Sequence, residues 1–292
     1  MKKIISLALS AVCALSFVGC GLKLVERGET LSAQEATRLI DGIKAKTETF
    51  SAQDITKMTS TLKLTMDEQT STMTQKFSKE DHYLYYSNDT RDMELYDGYE
   101  DAYKEYLGTI HHSVDTNYLY IDEMGRLIDA SSSYVDETKQ DHDGIWRRTQ
   151  DSSSFYSVRS ETLEEAEKLF HNNILTQASD LIAQLLMYSS QMIQTFEPLI
   201  ETGSFSMPGM EIEIRSNGEG HLYMKENLSS MGMYYECEYK DYMLTYAKTV
   251  MDNTKTGLTA TGYKTLTTEV FYQFGVCELT YPNLSNYKQL GV

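Results

Sequence analysis

The first clear periodic pattern in the chain is helical. Four apolar residues recur at intervals of three and four, with polar residues between them: Ala36, Leu39, Ile40 and Ile43. Ser32 and Glu35 have the spacing of a capping box, which marks the start of a helix. The pattern therefore predicts one amphipathic helix at about residues 33–49.

A period of two follows this helix. Between residues 56 and 66 the apolar side chains fall on even positions: Met58, Leu62, Leu64 and Met66. Threonine and lysine fill most of the alternate positions, which is typical of a strand with one buried face. Similar short strands are predicted around residues 71–78, 82–87, 92–96, 117–122 and 126–130. Together they predict an antiparallel meander.

The helical period returns at Thr162 and continues to about residue 200. Its apolar residues form a wide stripe that includes Leu169, Leu181, Leu185, Ile193 and Phe196. We predict a break near His171–Asn173, which makes this segment a helical pair, and an end near Pro198 and Gly203. Strands then follow to Tyr281. This order predicts an α+β fold, in which helices cover one face of an antiparallel sheet in a single domain over residues 32–292.

The first twenty residues have the layout of a secretory signal peptide. Two lysines precede an apolar stretch from Ile4 to Val18, which is followed by Gly19 and Cys20. The apolar run is shorter than the roughly 20 residues that a transmembrane helix needs. We therefore predict that residues 1–19 are removed on export.

The segment "FVGC" resembles the lipobox of bacterial lipoproteins, with Phe17 in place of the usual leucine. In that family the cysteine thiol carries a diacylglycerol and the cysteine becomes the first residue of the mature protein. The resemblance therefore makes Cys20 the site of lipid attachment, with residues 20–31 as a tether. Two acyl chains also anchor a protein far more firmly than one. The alternative is an ordinary signal peptide cut nearby, in which Cys20 has no role.

The order of segments resembles the LolA/LppX-like superfamily of lipoproteins and lipid carriers. The likeness covers nearly all of the mature chain, in residues 33–50, the strands after Thr56, residues 162–197 and residues 210–281. It implies a strongly curved antiparallel sheet, or half-barrel, whose concave face is covered by an N-terminal helix and a central helical pair. It also implies an apolar cavity between sheet and helices that suits acyl chains or another lipid-like ligand.

Within this resemblance we assign nine residues to the lining of the cavity. They are Met58, Leu62, Leu64, Met66, Leu181, Leu185, Met192, Met233 and Tyr235. Methionine is flexible and polarizable, so it suits a wall that adapts to variable chains. The alternative is that these side chains simply fill an irregular core.

Composition narrows the range of partners. The formal net charge of −17 at pH 7 argues against nucleic acid as a partner. Beyond Cys20 the sequence has only Cys237 and Cys277, which are too few for a disulfide scaffold. A bond between these two cysteines is left open.

Three short patterns together look like the marks of serine β-lactamases and penicillin-binding proteins: Ser60–Lys63, Tyr86–Asn88 and Lys255–Gly257. That chemistry needs the serine at the start of a helix and the lysine one turn later. Ser60 and Lys63 instead lie in a run of period two, so they point to opposite faces of a sheet. We therefore expect no catalytic residues, and a serine acyl-transfer enzyme of the penicillin-binding type is a minor alternative.

The acidic residues and histidines lack metal-ligand spacing, so no metal or cofactor is expected.

These expectations combine into one predicted function. The chain is expected to be a non-enzymatic lipoprotein on the extracytoplasmic face of the cell membrane, held there by its N-terminal diacylglycerol. It is expected to bind or carry a lipid-like hydrophobic ligand. The alternative is a surface interaction or structural module with a filled core, whose acidic surface meets protein or cell-wall partners.

Overall fold

The computed structural model describes residues 28–95, 108–201, 206–207, 210–256 and 263–290. Cys20, the signal peptide and most of the predicted tether lie outside these described residues. Glu29 and Thr30, which we expected in the tether, instead pair with Ser216 and Arg215 at one edge of the sheet. Extended backbone that reaches a sheet edge satisfies its hydrogen bonds in this way.

The described residues form three α-helices and fourteen strands. The helices are α1 (Ala33–Thr49), α2 (Leu163–Glu201) and α3 (Asn253–Thr256). The first seven strands are β1 (Glu29–Thr30), β2 (Lys57–Met66), β3 (Gln69–Ser78), β4 (Tyr83–Leu95), β5 (Gly108–Ile121), β6 (Leu127–Gln140) and β7 (Trp146–Ser160). The others are β8 (Ser206–Met207), β9 (Met210–Ser216), β10 (Leu222–Leu228), β11 (Met233–Lys240), β12 (Met243–Asp252), β13 (Thr265–Phe274) and β14 (Lys288–Gln289).

All fourteen strands belong to one sheet. Strands β2 to β7 form one antiparallel meander, and β9 to β13 form another. The two meanders are joined because β13 pairs with β2 from Leu266↔Met66 to Phe274↔Met58. Strands β1 and β14 lie at the two ends of the strand order, so the sheet is open, and β14 alone runs parallel to its neighbour. The predicted α+β class with a large antiparallel sheet is confirmed.

Helix α1 has the predicted start and bounds. The Ser32 hydroxyl accepts a hydrogen bond from the Glu35 N–H, and the Glu35 carboxylate accepts one from the Ser32 N–H at 2.9 Å. Its apolar face is buried, and Lys44 forms an ion pair with Glu197 of α2. The two helices therefore pack as one layer against the sheet. No helix in the described residues combines the length and the hydropathy needed to cross a bilayer.

The prediction of a helical pair is wrong, because residues 163–201 form one helix of 39 residues, about 58 Å long. His171–Asn173 contains neither proline nor glycine, so nothing in it breaks the backbone pattern. Phe170 and Ile174, on either side, are both buried, so the apolar stripe runs through the expected break. Pro198 lies in the last turn of α2, so its missing N–H removes only a hydrogen bond at the end of the helix.

Strands β4, β5 and β6 are longer than predicted, at 13 to 14 residues each, and β7, with 15 residues, is not among the predicted strands. The strands expected at residues 82–87 and 92–96 are both parts of β4. Between them the sequence is polar, so no apolar alternation marks it as a strand. Cross-strand hydrogen bonds stabilise this polar middle of β4 instead, such as the bond from the Ser71 hydroxyl to Asn88 Oδ1 at 3.0 Å.

The core has two parts, one on each face of the sheet. The main part lies between the sheet and helices α1 and α2, on the face that we call the helix face. The smaller part lies on the opposite, outer face, where residues 277–287 cover tyrosines of β4 and β5. Tyr83 donates its hydroxyl to Thr280 O at 2.8 Å, and Tyr281 packs edge-to-face on Tyr83 and Tyr120. The C-terminal segment therefore covers apolar surface that the helices cannot reach.

Packing of α2 on the sheet gives the first testable prediction. Phe170 is buried in the main core and its ring lies 5.5 Å from the ring of His82. Phe170→Ala leaves a cavity and should lower the free energy of unfolding by about 3–5 kcal/mol. Met187 on the same helix is 56% exposed, so Met187→Ala should change it by less than about 0.5 kcal/mol. Chemical denaturation followed by circular dichroism measures both, and equal losses would contradict this packing.

Candidate functional site

The predicted lining residues fall into three groups, all on the helix side of the sheet. Four are fully buried inside the main core: Met58, Leu181, Leu185 and Met192. Leu62 and Tyr235 lie at the border of that core. Leu64, Met66 and Met233 lie further along their strands, half-buried and outside both parts of the core.

Strand register brings four of these residues onto one surface. Leu64 and Tyr235 lie in one cross-strand row of the helix face, and Met66 and Met233 lie in the next row. In each row β12 and β13 separate the two residues, a distance of about 14 Å. Their role as a ligand-binding surface stays a prediction.

A cavity of about 940 Å³ lies at a different place, where β12 and β13 separate. The pairing of these two strands ends at Tyr246↔Phe271. Beyond this pair β12 stays with β11 down to Met243, while β13 stays with β2 up to Phe274. A wedge therefore opens between the two strands, and residues 54–57 and the end of α1 line it.

Two local irregularities redirect the strands at the sides of this wedge. The register of β11 with β12 shifts between Glu238 and Tyr239, and such a bulge bends a strand. On the other side Gly275 ends β13 with a φ of 72°, a backbone conformation that favours glycine. Its N–H donates to Lys57 O at 2.9 Å, which holds the turn against the start of β2.

Helix α1 is held beside the cavity by a close contact with the turn between β11 and β12. A Cβ atom at Gly42 would lie only 2.5 Å from the ring of Tyr242. Glycine therefore lets the helix approach the turn, because a larger residue would push the ring away. This contact fixes the end of α1, where Lys46 and Phe50 reach the cavity.

The walls of the cavity are rich in aromatic and other apolar side chains. They include Phe50, Met243, Tyr246, Phe271, Tyr272 and Phe274. The rings of Phe50 and Phe274 meet edge-to-face at 6.2 Å, and those of Tyr246 and Phe271 lie 5.0 Å apart. Burial raises the pKa of Tyr272, so its hydroxyl stays neutral near neutral pH. Pockets that bind small apolar molecules have walls of this kind.

Two of the carboxylates beside the cavity, Glu236 and Glu238, already have partners. Glu238 lies 3.1 Å from His221 Nε2 and 3.3 Å from Lys240 Nζ. Burial by itself would raise the pKa of Glu238, but the hydrogen bond with His221 and the charge of Lys240 outweigh it and lower the pKa. Glu236 accepts a hydrogen bond from the Tyr223 hydroxyl at 2.7 Å. A ligand that enters the cavity therefore meets no unpaired charge at these two glutamates.

The two cysteines among the described residues are free thiols. Cys237 is buried in the main core on the helix face, whereas Cys277 is half-buried in the smaller core on the outer face. Burial raises the pKa of both thiols. The disulfide that the sequence left open is therefore not formed.

Ser60 and Lys63 lie in β2 and point to opposite faces of the sheet. Ser60 is opposite Tyr272 on the helix face, and Lys63 is opposite Glu269 on the outer face. Lys63 therefore cannot reach the Ser60 hydroxyl. Gly257, the last residue of the third pattern, lies outside the described residues. Within the described ranges no group of three His, Cys, Asp or Glu side chains could hold a metal ion.

Sequence reasoning missed the cavity. Its clearest signal is "VFYQFGV", residues 270–276, in which Phe271, Tyr272 and Phe274 place aromatic rings on both faces just before a glycine. The same signal is typical of the end of any buried strand. The wedge becomes visible only when the register of β12 with β13 is known.

Comparisons with known proteins identify no relative. No family model matches the chain, no curated protein is significantly similar to it, and no solved structure matches it. The likeness to LolA/LppX-like proteins stays a prediction, and the function rests on the geometry of the cavity.

Proposed function

We propose that this chain is a membrane-anchored extracytoplasmic lipoprotein that binds or carries a lipid-like hydrophobic ligand. The observation that carries the proposal is the cavity of about 940 Å³ between β12 and β13. Pockets that take small molecules typically enclose about 300–1,000 Å³ and have mainly apolar walls. Transfer of an apolar ligand from water to such walls is favourable by about 25 cal/mol for each Å² that is buried.

We also propose that the sheet curves around the helices as a half-barrel. Helix α2 contacts β5, β6 and β7 in one meander and β12 in the other. Its contacts with the four strands between them are sparse. One helix whose backbone comes close to both halves of a sheet, but rarely to its middle, is the expected arrangement over a concave face. This shape leaves space for a ligand beside the helix.

Filling the cavity tests the ligand-binding proposal. Gln273→Trp adds a large side chain to its wall, whereas Thr267→Trp adds the same side chain to the same face of β13 outside the cavity. The fluorescent apolar probe 1-N-phenylnaphthylamine should bind the unmodified protein. Loss of one or two good apolar contacts should weaken its binding to Gln273→Trp by about tenfold or more. Thr267→Trp should bind the probe as the unmodified protein does.

Probe fluorescence titration measures the affinities, and thermal unfolding shows whether both tryptophan variants fold. Equal affinity of the two variants would place the probe outside the cavity and contradict the proposal. Absence of probe binding to the unmodified protein, with no lipid extracted by organic solvent, would also contradict it.

Attachment to the membrane is tested at Cys20. Cys20→Ser removes the thiol that would carry the diacylglycerol, so the protein should stop incorporating labelled palmitate and leave the membrane fraction. Cys13→Ser is the matched control, because Cys13 lies in the same segment but lacks a small residue before it. This variant should keep both the label and the membrane association. Retention of the label by Cys20→Ser would contradict lipid attachment at this residue.

A second candidate function, a protein-interaction module, is favoured by the free edge of β7. On the side away from β6, only Phe155 and Tyr156 of this strand have a strand partner among the described residues. Trp146–Ser153 have exposed side chains. Such an edge can take up an extended segment of a partner through backbone hydrogen bonds. A purified protein without extractable lipid or probe binding would favour this function over ligand binding.

A further inference from the structure

A glutamate lies on the helix face where apolar residues are the rule. Glu226 in β10 is 3% exposed, and its strand neighbours on this face are Met224 and Leu228. Across the strands its direct neighbours are Ile212 of β9 and Tyr235 of β11. The carboxyl is therefore surrounded on the sheet by apolar and aromatic side chains.

Among the described residues, no hydrogen-bond donor or cation reaches the Glu226 carboxyl. The hydroxyl of Tyr235, the cross-strand neighbour of Glu226, donates instead to the sulfur of Met233 at 3.7 Å. Residues 202–209, which link α2 to β9, include no lysine, arginine or histidine. A buried carboxyl without a partner costs folding free energy, so such groups are usually paired or have a function.

Protonation of the carboxyl relieves this cost. Burial raises the pKa of Glu226, and no charged group on α2 or on the neighbouring strands contributes to the shift. Burial also raises the pKa of Tyr235, and the charge of Glu226 raises it further. The other titratable groups on this face of β11, Cys237 and Tyr239, also have pKa values raised by burial. Burial therefore acts against the charged form of each of these groups.

An apolar strip begins beside Glu226 and crosses five adjacent strands. We define it by one row of direct cross-strand neighbours, one from each of β10, β11, β12, β13 and β2: Leu228, Met233, Met251, Leu266 and Met66. All five are half-buried, and none belongs to either part of the core. Four spacings between strands make the strip about 19 Å long, which matches an extended alkyl chain of medium length.

We propose that Glu226 and the apolar strip form a binding site for a single-chain amphiphile with an ammonium head group. The ammonium binds the Glu226 carboxylate, and the alkyl chain lies along the strip. At a pH below the raised pKa of Glu226, its carboxyl loses a proton to solvent on binding, and the ammonium keeps its own protons and donates hydrogen bonds to the carboxylate. This site is separate from the cavity between β12 and β13 and does not depend on a ligand there.

The charges of the neighbouring strands favour an ammonium over an anionic head group. Lys63, Lys225 and Lys248 all lie on the outer face, opposite or beside glutamates. None of them can meet a head group at Glu226. An anionic head group would face an acid without any cation to offset it, whereas an ammonium supplies both a charge and hydrogen-bond donors.

Dodecylammonium chloride below its micelle concentration is the probe that tests this site, measured by isothermal titration calorimetry. The unmodified protein should bind it, with release of up to one proton as judged from two buffers of different ionisation enthalpy. The affinity of the unmodified protein for dodecylammonium should rise with pH up to the pKa of Glu226, because the proton must leave.

Glu226→Gln should bind about 10- to 100-fold more weakly and release no proton. Glu211→Gln, at a position whose side chain is 67% exposed, is the matched control and should behave like the unmodified protein.

Stability against pH provides the second measurement. Because the pKa of Glu226 is raised in the folded state, the folded protein holds its proton to higher pH than the unfolded chain does. The Glu226 contribution should therefore make the protein less stable as pH rises from the unfolded to the folded pKa, and Glu226→Gln should remove this slope. The variant should fold, since the amide keeps the shape of the side chain and no ion pair is lost.

Two results would overturn the proposal. One is equal binding of dodecylammonium to the unmodified protein and Glu226→Gln. The other is binding without proton release at a pH below the folded pKa of Glu226, which the stability measurement gives. Gln273→Trp separates this site from the cavity, because it should bind the naphthylamine probe about tenfold or more weakly but bind dodecylammonium as the unmodified protein does. Loss of both probes in that variant would mean that one site binds both molecules, which would also overturn the proposal.

Discussion

The antiparallel pairing of β13 with β2 is the interaction on which the rest of this structure depends. It joins the two meanders into one sheet, with contacts from Leu266↔Met66 to Phe274↔Met58. The strands come from opposite ends of the described chain, so their pairing closes a very long loop, whose entropic cost grows only slowly with length. Asp67 secures the register at one end, because its carboxylate accepts a hydrogen bond from the Thr265 N–H at 2.7 Å. The two candidate sites lie at opposite ends of this pairing. The cavity is beside Phe274, and the apolar strip crosses Leu266 and Met66.

Those parts of the fold that depend on local pattern could be predicted from the sequence. Helix α1 was predicted with its bounds, because its stripe and its capping box are properties of adjacent residues. Strand β2 was predicted for the same reason. The continuity of α2 was not, because a short polar segment such as His171–Asn173 stays helical when the apolar residues around it are buried by the sheet. The length of β4 was also missed, since neighbouring strands and cross-strand hydrogen bonds, rather than apolar alternation, support its polar middle.

The candidate sites could be predicted only in part, because they depend on register. Period two places Met66 and Met233 each on an apolar face, but only the pairing of four strands brings them into one row. The cavity depends on a bulge at Glu238/Tyr239 and on the early end of the pairing between β12 and β13, and neither leaves a clear mark in the sequence. Glu226 is an intermediate case. It alternates with Met224 and Leu228 in "YMKENL", so it lies on the apolar side of its strand, but its burial and its lack of a partner among the described residues appear only in the folded chain.

The charge of the whole protein and the chemistry of Glu226 act in the same direction over different distances. A net charge of −17 attracts cationic amphiphiles and repels anionic ones, which raises the rate of encounter without choosing a binding position. Salt screens this long-range attraction, since charges in water are shielded beyond about 8 Å at physiological ionic strength. The contact at Glu226 is formed in a buried site, where screening is much weaker and a carboxyl without a partner gains most from a cation. Salt should therefore slow association more than it weakens the bound state. Selection of the head group thus depends on one buried side chain, while the acidic surface governs how quickly such molecules arrive.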